Sequence, residues 1–135
     1  WGLGQVGAYG APITAAAFVD RIYRALDPPW LLEAGPRPRQ VARVAVCGGS
    51  CSDFAETAQK LDVDAFLTAE VKHSVARWAE DAGLWLLDGG HFATERLAME
   101  PFRDRLRREA EQRGWSVTIE VARQTPPLRL AKGSS

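Results

Sequence analysis

Three short apolar runs, each followed by a loop of glycine or polar residues, limit most strongly how this chain folds. The runs occupy positions 41–47, 64–68 and 84–88, and segments of helical periodicity separate them. Such runs are typical of strands buried on both faces of a sheet. Strands that alternate with helices of ~10–15 residues indicate βαβ units. We therefore predict an α/β fold, a layered and mostly parallel sheet with helices on both faces.

The other elements are predicted from periodicity and from residues that begin or end helices. The first element is predicted to be a helix, which begins after Thr14 as N-cap and ends at Asp27-Pro28-Pro29. Further helices are predicted over about 52–61, capped by Ser52 or Asp53, and over 72–82 with Gly83 at the end. A helical pattern runs from His91 to Gly114, with a break or a new helix start at Pro101. Strands are predicted at 30–32 and, at a sheet edge, 115–121. The patterns place Trp78, Trp85 and Trp115 in the core.

Length and charge restrict the class of protein. The 135 residues suit a single domain, predicted over 1–132, with 133–135 as a tail. Lys and Arg number 17, as do Asp and Glu, so the basic excess of nucleic-acid binders is absent and we predict no nucleic-acid partner. No apolar run approaches the ~20 residues of a membrane span. We see no signal peptide and expect a cytoplasmic protein. Because the chain begins at Trp1, we expect that a further segment precedes it.

Two cysteines, Cys47 and Cys51, are too few for a disulfide scaffold. Cys47 ends a buried strand and is predicted to be a small core residue. Cys51 is predicted to be the more exposed of the two. A shared thiophilic metal or a redox pair is the alternative, although a structural zinc site needs about four ligands.

Three polar loops leave the predicted strands at their carboxyl ends, where open parallel sheets bind ligands. They are 47–51, 68–73 and 88–91. In the third loop, His91 and Glu95 are four residues apart at the start of a helix, so both face one side. An imidazole and a carboxylate so placed suit a divalent metal ion. A capping histidine beside an exposed glutamate is the alternative interpretation.

The second loop supplies candidates for proton transfer. Glu70 or His73 could act as a general base or orient a water on the metal. The alternative is an ordinary acidic first turn of a helix. Asp88 ends a strand and is predicted to orient His91 by accepting a hydrogen bond. Residues 2–7 fit G-x-G-x-x-G, but no strand precedes them and Pro12 delays the helix, so a backbone turn is favoured over a dinucleotide site.

Four segments in this order resemble the motifs of one protein family. Residues 88–96 resemble its "GHxATER", residues 44–50 its "VAVCGGSG", residues 68–73 its "TGEVKHH" and residues 2–7 its "GLGRVG". The family is a dinuclear-metal-centre family whose members are named GTP cyclohydrolase I type 2 homologs or NGG-one-interacting-factor-three-like proteins. The sequence departs from the motifs at Ala69, Cys51 and Ser74, which weakens the match of the second loop more than that of the third.

The resemblance implies that this chain is the C-terminal half of a longer, two-lobed protein. Family members are about twice this length, and two similar halves face each other across a cleft that holds two metal ions. The resemblance assigns His91 and Glu95 as metal ligands, and a missing N-terminal half would supply a His-His pair and an Asp. It implies two divalent ions (Zn, Mn or Fe) shared with that half, and a homo-oligomer in the form of a hexameric ring.

The sequence supports two hypotheses for function. In the first, the protein is a metal-dependent hydrolase that acts on a small-molecule substrate, with His91 and Glu95 as metal ligands and Glu70 or His73 as catalytic residues. In the second, it is a non-enzymatic metal-binding ring that serves as a scaffold or a regulatory partner. The sequence contains no determinant that identifies a substrate.

Overall fold

The computed structural model describes residues 2–131 of the chain. The helices and strands follow in the order β1 Gln5–Thr14, α1 Ala15–Leu26, β2 Leu32–Ala34, β3 Gln40–Ser50, a 3₁₀ helix Ser52–Phe54, α2 Ala55–Lys60, β4 Ala65–Ala69, α3 His73–Ala82, β5 Trp85–Asp88, α4 His91–Arg96 and α5 Met99–Gln112. Trp1 and the predicted tail 133–135 lie outside the described residues. Among those residues, no helix is both long enough and apolar enough to cross a membrane.

The five strands form one mixed sheet in the order β1-β3-β4-β5-β2. The central strands β3, β4 and β5 run parallel to one another. The edge strands β1 and β2 pair antiparallel with β3 and β5. The prediction of a mostly parallel sheet is therefore correct for the three apolar central strands and wrong for both edges.

Helices cover both faces of the sheet, as predicted. On one face, α1 and Ala93 of α4 pack against residues such as Val44, Trp85 and Leu87. On the other face, α2 and α3 pack against a second cluster that includes Phe66 and Leu86. Neighbouring strand residues alternate between the two clusters because successive side chains of a strand point to opposite faces. Trp85 is fully buried and Trp78 packs at the margin of the second cluster, whereas Trp115, predicted in the core, is 55% exposed.

The predicted helix ends are confirmed at two positions. The side chain of Thr14 accepts a hydrogen bond from the Ala17 amide at 3.1 Å, which caps α1. Gly83 ends α3 in the left-handed conformation, with φ of 75°. The prediction that Ser52 or Asp53 caps the next helix is wrong. Residues 52–54 form a 3₁₀ turn without a side-chain cap, and Asp53 instead pairs with Lys72 at 2.7 Å.

The predicted helix after Thr14 is confirmed as α1, but it is not the first element, because strand β1 precedes it. The side chains of β1 are mostly exposed, and the strand is held by its pairing with β3. Backbone hydrogen bonds of this kind need no apolar alternation, so hydrophobic periodicity does not reveal them. Strand β3 likewise continues through Gly48 and Gly49 to Ser50, whereas the sequence predicts that the glycines end it.

The predicted edge strand at 115–121 is not formed. This segment pairs with no strand among the described residues, and Val117 is 58% exposed. It lies along α5, where the Arg107 side chain donates a hydrogen bond to the Ile119 carbonyl at 2.9 Å. The alternation of apolar residues is real, but among the described residues the segment pairs with neither edge strand, β1 or β2.

Candidate functional site

The carboxyl ends of β3, β4 and β5 bring the three predicted loops together. The Thr68 hydroxyl donates to the Gly49 carbonyl at 3.2 Å, and the Gly89 amide donates to the Thr68 carbonyl at 2.9 Å. These bonds connect all three strand ends. The candidate residues of different loops are therefore neighbours, because the central strands are parallel and their carboxyl ends meet at one edge of the sheet.

His91 lies between two carboxylates. Its Nδ1 is 3.0 Å from Glu70 Oε1, and its Nε2 is 3.1 Å from Glu95 Oε2. All three side chains are about half exposed. Glu95 is on the same face of α4 as His91, as its spacing predicts, whereas Glu70 arrives from the end of β4.

This arrangement places a hydrogen-bond acceptor at each ring nitrogen. A neutral imidazole carries a single N–H, and only the imidazolium carries two. If Nδ1 donates to Glu70, the Nε2 lone pair faces a Glu95 oxygen. Either a proton or a cation must then lie between Nε2 and Oε2, because two lone pairs otherwise repel each other. The other tautomer reverses these roles, so the geometry favours a proton or a cation beside whichever ring nitrogen lacks the N–H.

Two glycines near the end of β3 make room for Thr94 and Glu95 of α4. A Cβ at Gly48 would lie 2.7 Å from the Thr94 carbonyl oxygen, and a Cβ at Gly49 would lie 2.3 Å from Glu95 Oε1. Gly49 also has a φ of +74°, which residues with a Cβ rarely adopt. Its amide donates to Thr94 Oγ1 at 3.0 Å. The strand therefore passes close beneath the first turn of α4.

Asp88 has a different role from the predicted one. Its carboxylate accepts hydrogen bonds from the Val71 amide at 2.8 Å and the Gly90 amide at 2.9 Å, and neither bond involves the His91 side chain. The acceptor that orients His91 is Glu70, which itself has a φ of 54°. Asp88 thus fixes the backbone on either side of the pair, at the residue after Glu70 and at the residue before His91.

His73 does not join this group. It is exposed at the first position of α3, and among residues 2–131 no hydrogen bond links it to Glu70, His91 or Glu95. Its proposed catalytic role stays a prediction.

A divalent metal ion fits His91 and Glu95 as two of its ligands. With ligand bonds of ~2.0–2.1 Å, two ligands of one tetrahedral ion lie ~3.3 Å apart, close to the distance between Nε2 and Oε2. Glu70 faces the other ring nitrogen, so it cannot share that ion. Among residues 2–131, no three His, Cys, Asp or Glu side chains enclose a position for a metal. An ion held by His91 and Glu95 would therefore need further ligands from outside the described residues.

A cleft of about 340 Å³ opens beside these side chains. Glu70, His91 and Glu95 line one part of it. The remaining lining is largely apolar and includes Trp30, Phe92, Met99, Pro126, Pro127 and Leu128. The sequence gives no sign that Trp30 or the segment 124–128 belongs to the site, because neither lies in a recognisable motif.

The two cysteines lie at the two ends of the first loop, Cys47 at its start and Cys51 at its end. Cys47 is buried and Cys51 is partly exposed, as predicted. Burial, together with the neighbouring Cys51 thiol, raises the pKa of Cys47 to about 11. The Cys51 thiol donates to the Gly48 carbonyl at 3.4 Å. Cys47 is therefore an uncharged thiol at neutral pH.

Comparisons with known proteins identify the relatives of this chain. Residues 1–127 match the family model described as Duf34/NIF3 (NGG1p interacting factor 3). A relative from Allochromatium vinosum named GTP cyclohydrolase 1 type 2 homolog is 36% identical over 121 residues, which are 89% of this chain and 46% of that protein. A Nostoc relative of the same name is 33% identical over 108 residues, 78% of this chain and 41% of that protein.

The fold agrees as well. The crystal structure of a Bacillus cereus protein related to NIF3 superposes with a TM-score of 0.87 at 24% identity, over 96% of this chain and 36% of that one. The chain spans less than half the length of the curated relatives that it matches.

Proposed function

The chain belongs to the Duf34/NIF3 family, and from this premise we propose that it supplies two metal ligands to a dinuclear metal-dependent hydrolase. The proposed ligands are His91 and Glu95. The relatives are named as homologs of a GTP cyclohydrolase, which suggests that water attacks a ring carbon, an amide carbon or a phosphoryl group of a small molecule. The two ions, Zn, Mn or Fe, would be shared with an N-terminal half, in a homo-oligomer that we propose to be a hexameric ring.

The observation that carries this proposal is the position of His91 between two carboxylates. Metal-bound histidines usually donate their other ring N–H to a carboxylate, which fixes the tautomer and raises the basicity of the ligand nitrogen. Glu70 is placed to accept that proton at Nδ1, which leaves the Nε2 lone pair for a metal. A surface salt bridge alone would not need a glycine at position 49, where a Cβ would collide with the Glu95 carboxylate.

Each residue of the site has a separate role in this proposal. Nε2 of His91 and the carboxylate of Glu95 hold the ion, and Glu70 orients the imidazole. Glu70 Oε2 accepts no hydrogen bond within the described residues, so it is also available to take a proton from a reacting water. When bound, divalent ions activate water and polarise the atom under attack.

Manganese titration of the chain, followed by NMR, tests the ligand assignment. Mn²⁺ should broaden the signals around Gly49, His91 and Glu95, and binding should be weak because a tetrahedral site needs about four ligands. His91→Ala and Glu95→Gln should abolish the local broadening. Glu80→Gln is the matched control, since Glu80 is similarly exposed but lies on α3. Unchanged broadening in His91→Ala would show that the ion binds elsewhere.

A second experiment tests hydrolysis in a complete protein that contains this half. Glu95→Gln should lower the metal content by elemental analysis and the turnover of nucleotide substrates, with little change in melting temperature. Full metal content with a large fall in Tm would assign Glu95 a structural role instead.

A non-enzymatic metal-binding ring is the second candidate, and one observation favours it. The segment 115–121 exposes alternating apolar residues, including Trp115 and Val117, that suit an interface between chains. A metal-loaded assembly that hydrolyses no nucleotide, and whose integrity depends on metal, would support this function as a scaffold or regulatory partner.

A further inference from the structure

The segment 115–121 has one backbone edge that is held by α5. The segment contains no turn and no bend, so its backbone is extended. The Trp115 amide donates to the Ala110 carbonyl at 2.9 Å. The Ile119 carbonyl accepts a hydrogen bond from the Arg107 side chain, also at 2.9 Å. Both partners belong to α5, so the backbone groups that face this helix are those of odd-numbered residues.

The even-numbered residues present the opposite edge. In an extended strand, the N–H and C=O of one residue point to the same edge, and those of the next residue point to the other edge. Ser116, Thr118 and Glu120 therefore direct their backbone groups away from α5. Within the part of the chain that the structure describes, no hydrogen bond engages these groups. Such a row of unpaired backbone groups is a template for pairing with another strand.

We propose that two copies of this chain pair through these edges as antiparallel strands, with the two-fold axis at Thr118. Thr118 then lies opposite Thr118 of the second copy, and Ser116 and Glu120 lie opposite each other. Each of these pairs exchanges two backbone hydrogen bonds between the copies. The proposal concerns a surface away from His91 and does not depend on the proposed metal site.

The apolar residues of the segment are complementary to themselves in this register. Trp115 lies opposite Val121 of the second copy. Val117 lies opposite Ile119, and these pairs without hydrogen bonds bring the side chains closest together. Aromatic and β-branched residues stabilise each other in such cross-strand pairs. Moving the axis by one residue toward either end would leave Trp115 or Val121 opposite an arginine, so the register at Thr118 is the one that pairs all four apolar residues with one another.

The polar residues of the segment suit the same register. The two Thr118 hydroxyls meet across the axis, and threonine pairs of this kind form hydrogen bonds. The Glu120 carboxylate faces the Ser116 hydroxyl, which can donate to it. Moving the axis to Glu120 would instead oppose two carboxylates, which destabilises a strand pair. A second copy of this chain is therefore an occupant that matches the segment on both faces.

Helix α5 supports the proposed ribbon in each copy. A two-stranded ribbon by itself is marginally stable in water and becomes stable when it packs against a helix. Each strand of the ribbon lies along α5 of its own copy, where Trp115 and Ile119 hold it. Trp115 and Val117 are more than half exposed in the single chain. Pairing would remove part of this apolar surface from water, which favours association.

Sedimentation equilibrium on the chain without added metal tests the pairing. The wild-type chain should show a reversible dimer. Thr118→Pro should weaken the dimer about tenfold or more, because proline lacks the N–H that each copy donates at this position. Thr118→Ala is the matched control, since it also removes the hydroxyl but keeps the amide. Urea denaturation should give both variants about the same midpoint, because Thr118 is exposed and lies outside the core.

Cysteine cross-linking tests the register. A Cys51→Ser background removes the partly exposed thiol. In this background, Thr118→Cys should form a disulfide-linked dimer with oxidised glutathione, because Cα atoms of such a pair lie ~5.5 Å apart, within the range of a disulfide. Ser116→Cys should not link to itself, since the two copies of this residue would be offset by ~13 Å along the strands. It should link to Glu120→Cys when the two variants are mixed.

Three results would overturn the proposal. A wild-type chain that stays monomeric at high concentration would show that the free edge of 115–121 does not accept a second copy. Equal association of Thr118→Pro and Thr118→Ala would show that a different surface joins the copies. Self-linking of Ser116→Cys as fast as that of Thr118→Cys would exclude this register. The manganese response at His91 should be the same in all these variants, so none of the three results bears on the proposed metal ligands.

Discussion

Replacing Gly49 by alanine tests whether the end of β3 is shaped to admit Glu95. The new Cβ would lie 2.3 Å from Glu95 Oε1, while ordinary van der Waals contacts begin at 3.4 Å, so the carboxylate must retreat by 3.4 − 2.3, or about 1.1 Å. Metal–ligand distances tolerate only about ±0.2 Å. Glu95 would then leave the position from which it can share an ion with His91.

The backbone contributes a separate penalty that a matched variant can measure. Gly49 has a φ of +74°, and a residue with a Cβ is destabilised there by roughly 1–2 kcal/mol. Gly83 has nearly the same φ, +75°, and a Cβ added there would meet nothing within 4 Å among the described residues. Gly83→Ala should therefore lose the same backbone free energy without touching the site.

The assay combines urea denaturation with manganese broadening at His91. Both variants should lose roughly 1–2 kcal/mol of unfolding free energy. Gly49→Ala alone should weaken the metal response, by about 10–100-fold if displacing Glu95 resembles the loss of other supporting contacts at metal sites. Equal metal affinity in the two variants would refute the reasoning, because the carboxylate would then not depend on the space that Gly49 leaves.

Three other predictions follow from the same structure. Asp88→Ala should destabilise the fold by about 1.5–3 kcal/mol for each hydrogen bond lost, at Val71 and Gly90, and should shift the His91 NMR signals; an unchanged His91 spectrum would mean that Asp88 does not position the site. The buried Cys47 thiol has its pKa raised from 9.0 to about 11, so the folded state keeps a proton that the unfolded chain loses. Stability should fall as the pH rises from about 9 to about 11, and urea titrations should show a smaller fall in Cys47→Ala. The exposed apolar residues of 115–121 should make the chain self-associate, so light scattering that finds a clean monomer at high concentration would contradict this expectation.

The sequence predicted the elements whose burial leaves a pattern. The central strands β3, β4 and β5 coincide with the three apolar runs, since strands covered on both faces must be apolar throughout. Strand β1 left no such pattern because its side chains are mostly exposed. The segment 115–121 shows the converse. Its alternation is typical of a strand, but it pairs with no strand among the described residues. Hydrophobic periodicity indicates which side chains favour burial. It does not indicate which strands form backbone hydrogen bonds with each other.

The site was predictable where it depends on spacing along one helix. The interval between His91 and Glu95 alone places them on one face, and the structure brings them within 3.1 Å. The contact between Glu70 and His91 depends on strand order and on a left-handed residue at the end of β4, which no local pattern encodes. Trp30 reaches the cleft from a connection before β2 that carries no motif, so that contact also required the tertiary fold.

The backbone around His91 adopts the left-handed conformation at three positions of this edge of the sheet. Gly49, Glu70 and Gly90 all have positive φ values, and Glu70 adopts its value without the freedom of a glycine. A residue with a Cβ is strained there by roughly 1–2 kcal/mol, so the conformation persists only where other contacts enforce it. At Glu70 these contacts are the Val71–Asp88 hydrogen bond at 2.8 Å and the bond from the Ser52 hydroxyl to the Glu70 carbonyl at 3.4 Å. Glu70→Gly should therefore recover backbone free energy while it releases His91 Nδ1. If the strain serves the site, this variant should be more stable than wild type and should have a weaker metal response. A less stable variant would show that the Glu70 carboxylate stabilises the fold by more free energy than the strained backbone costs.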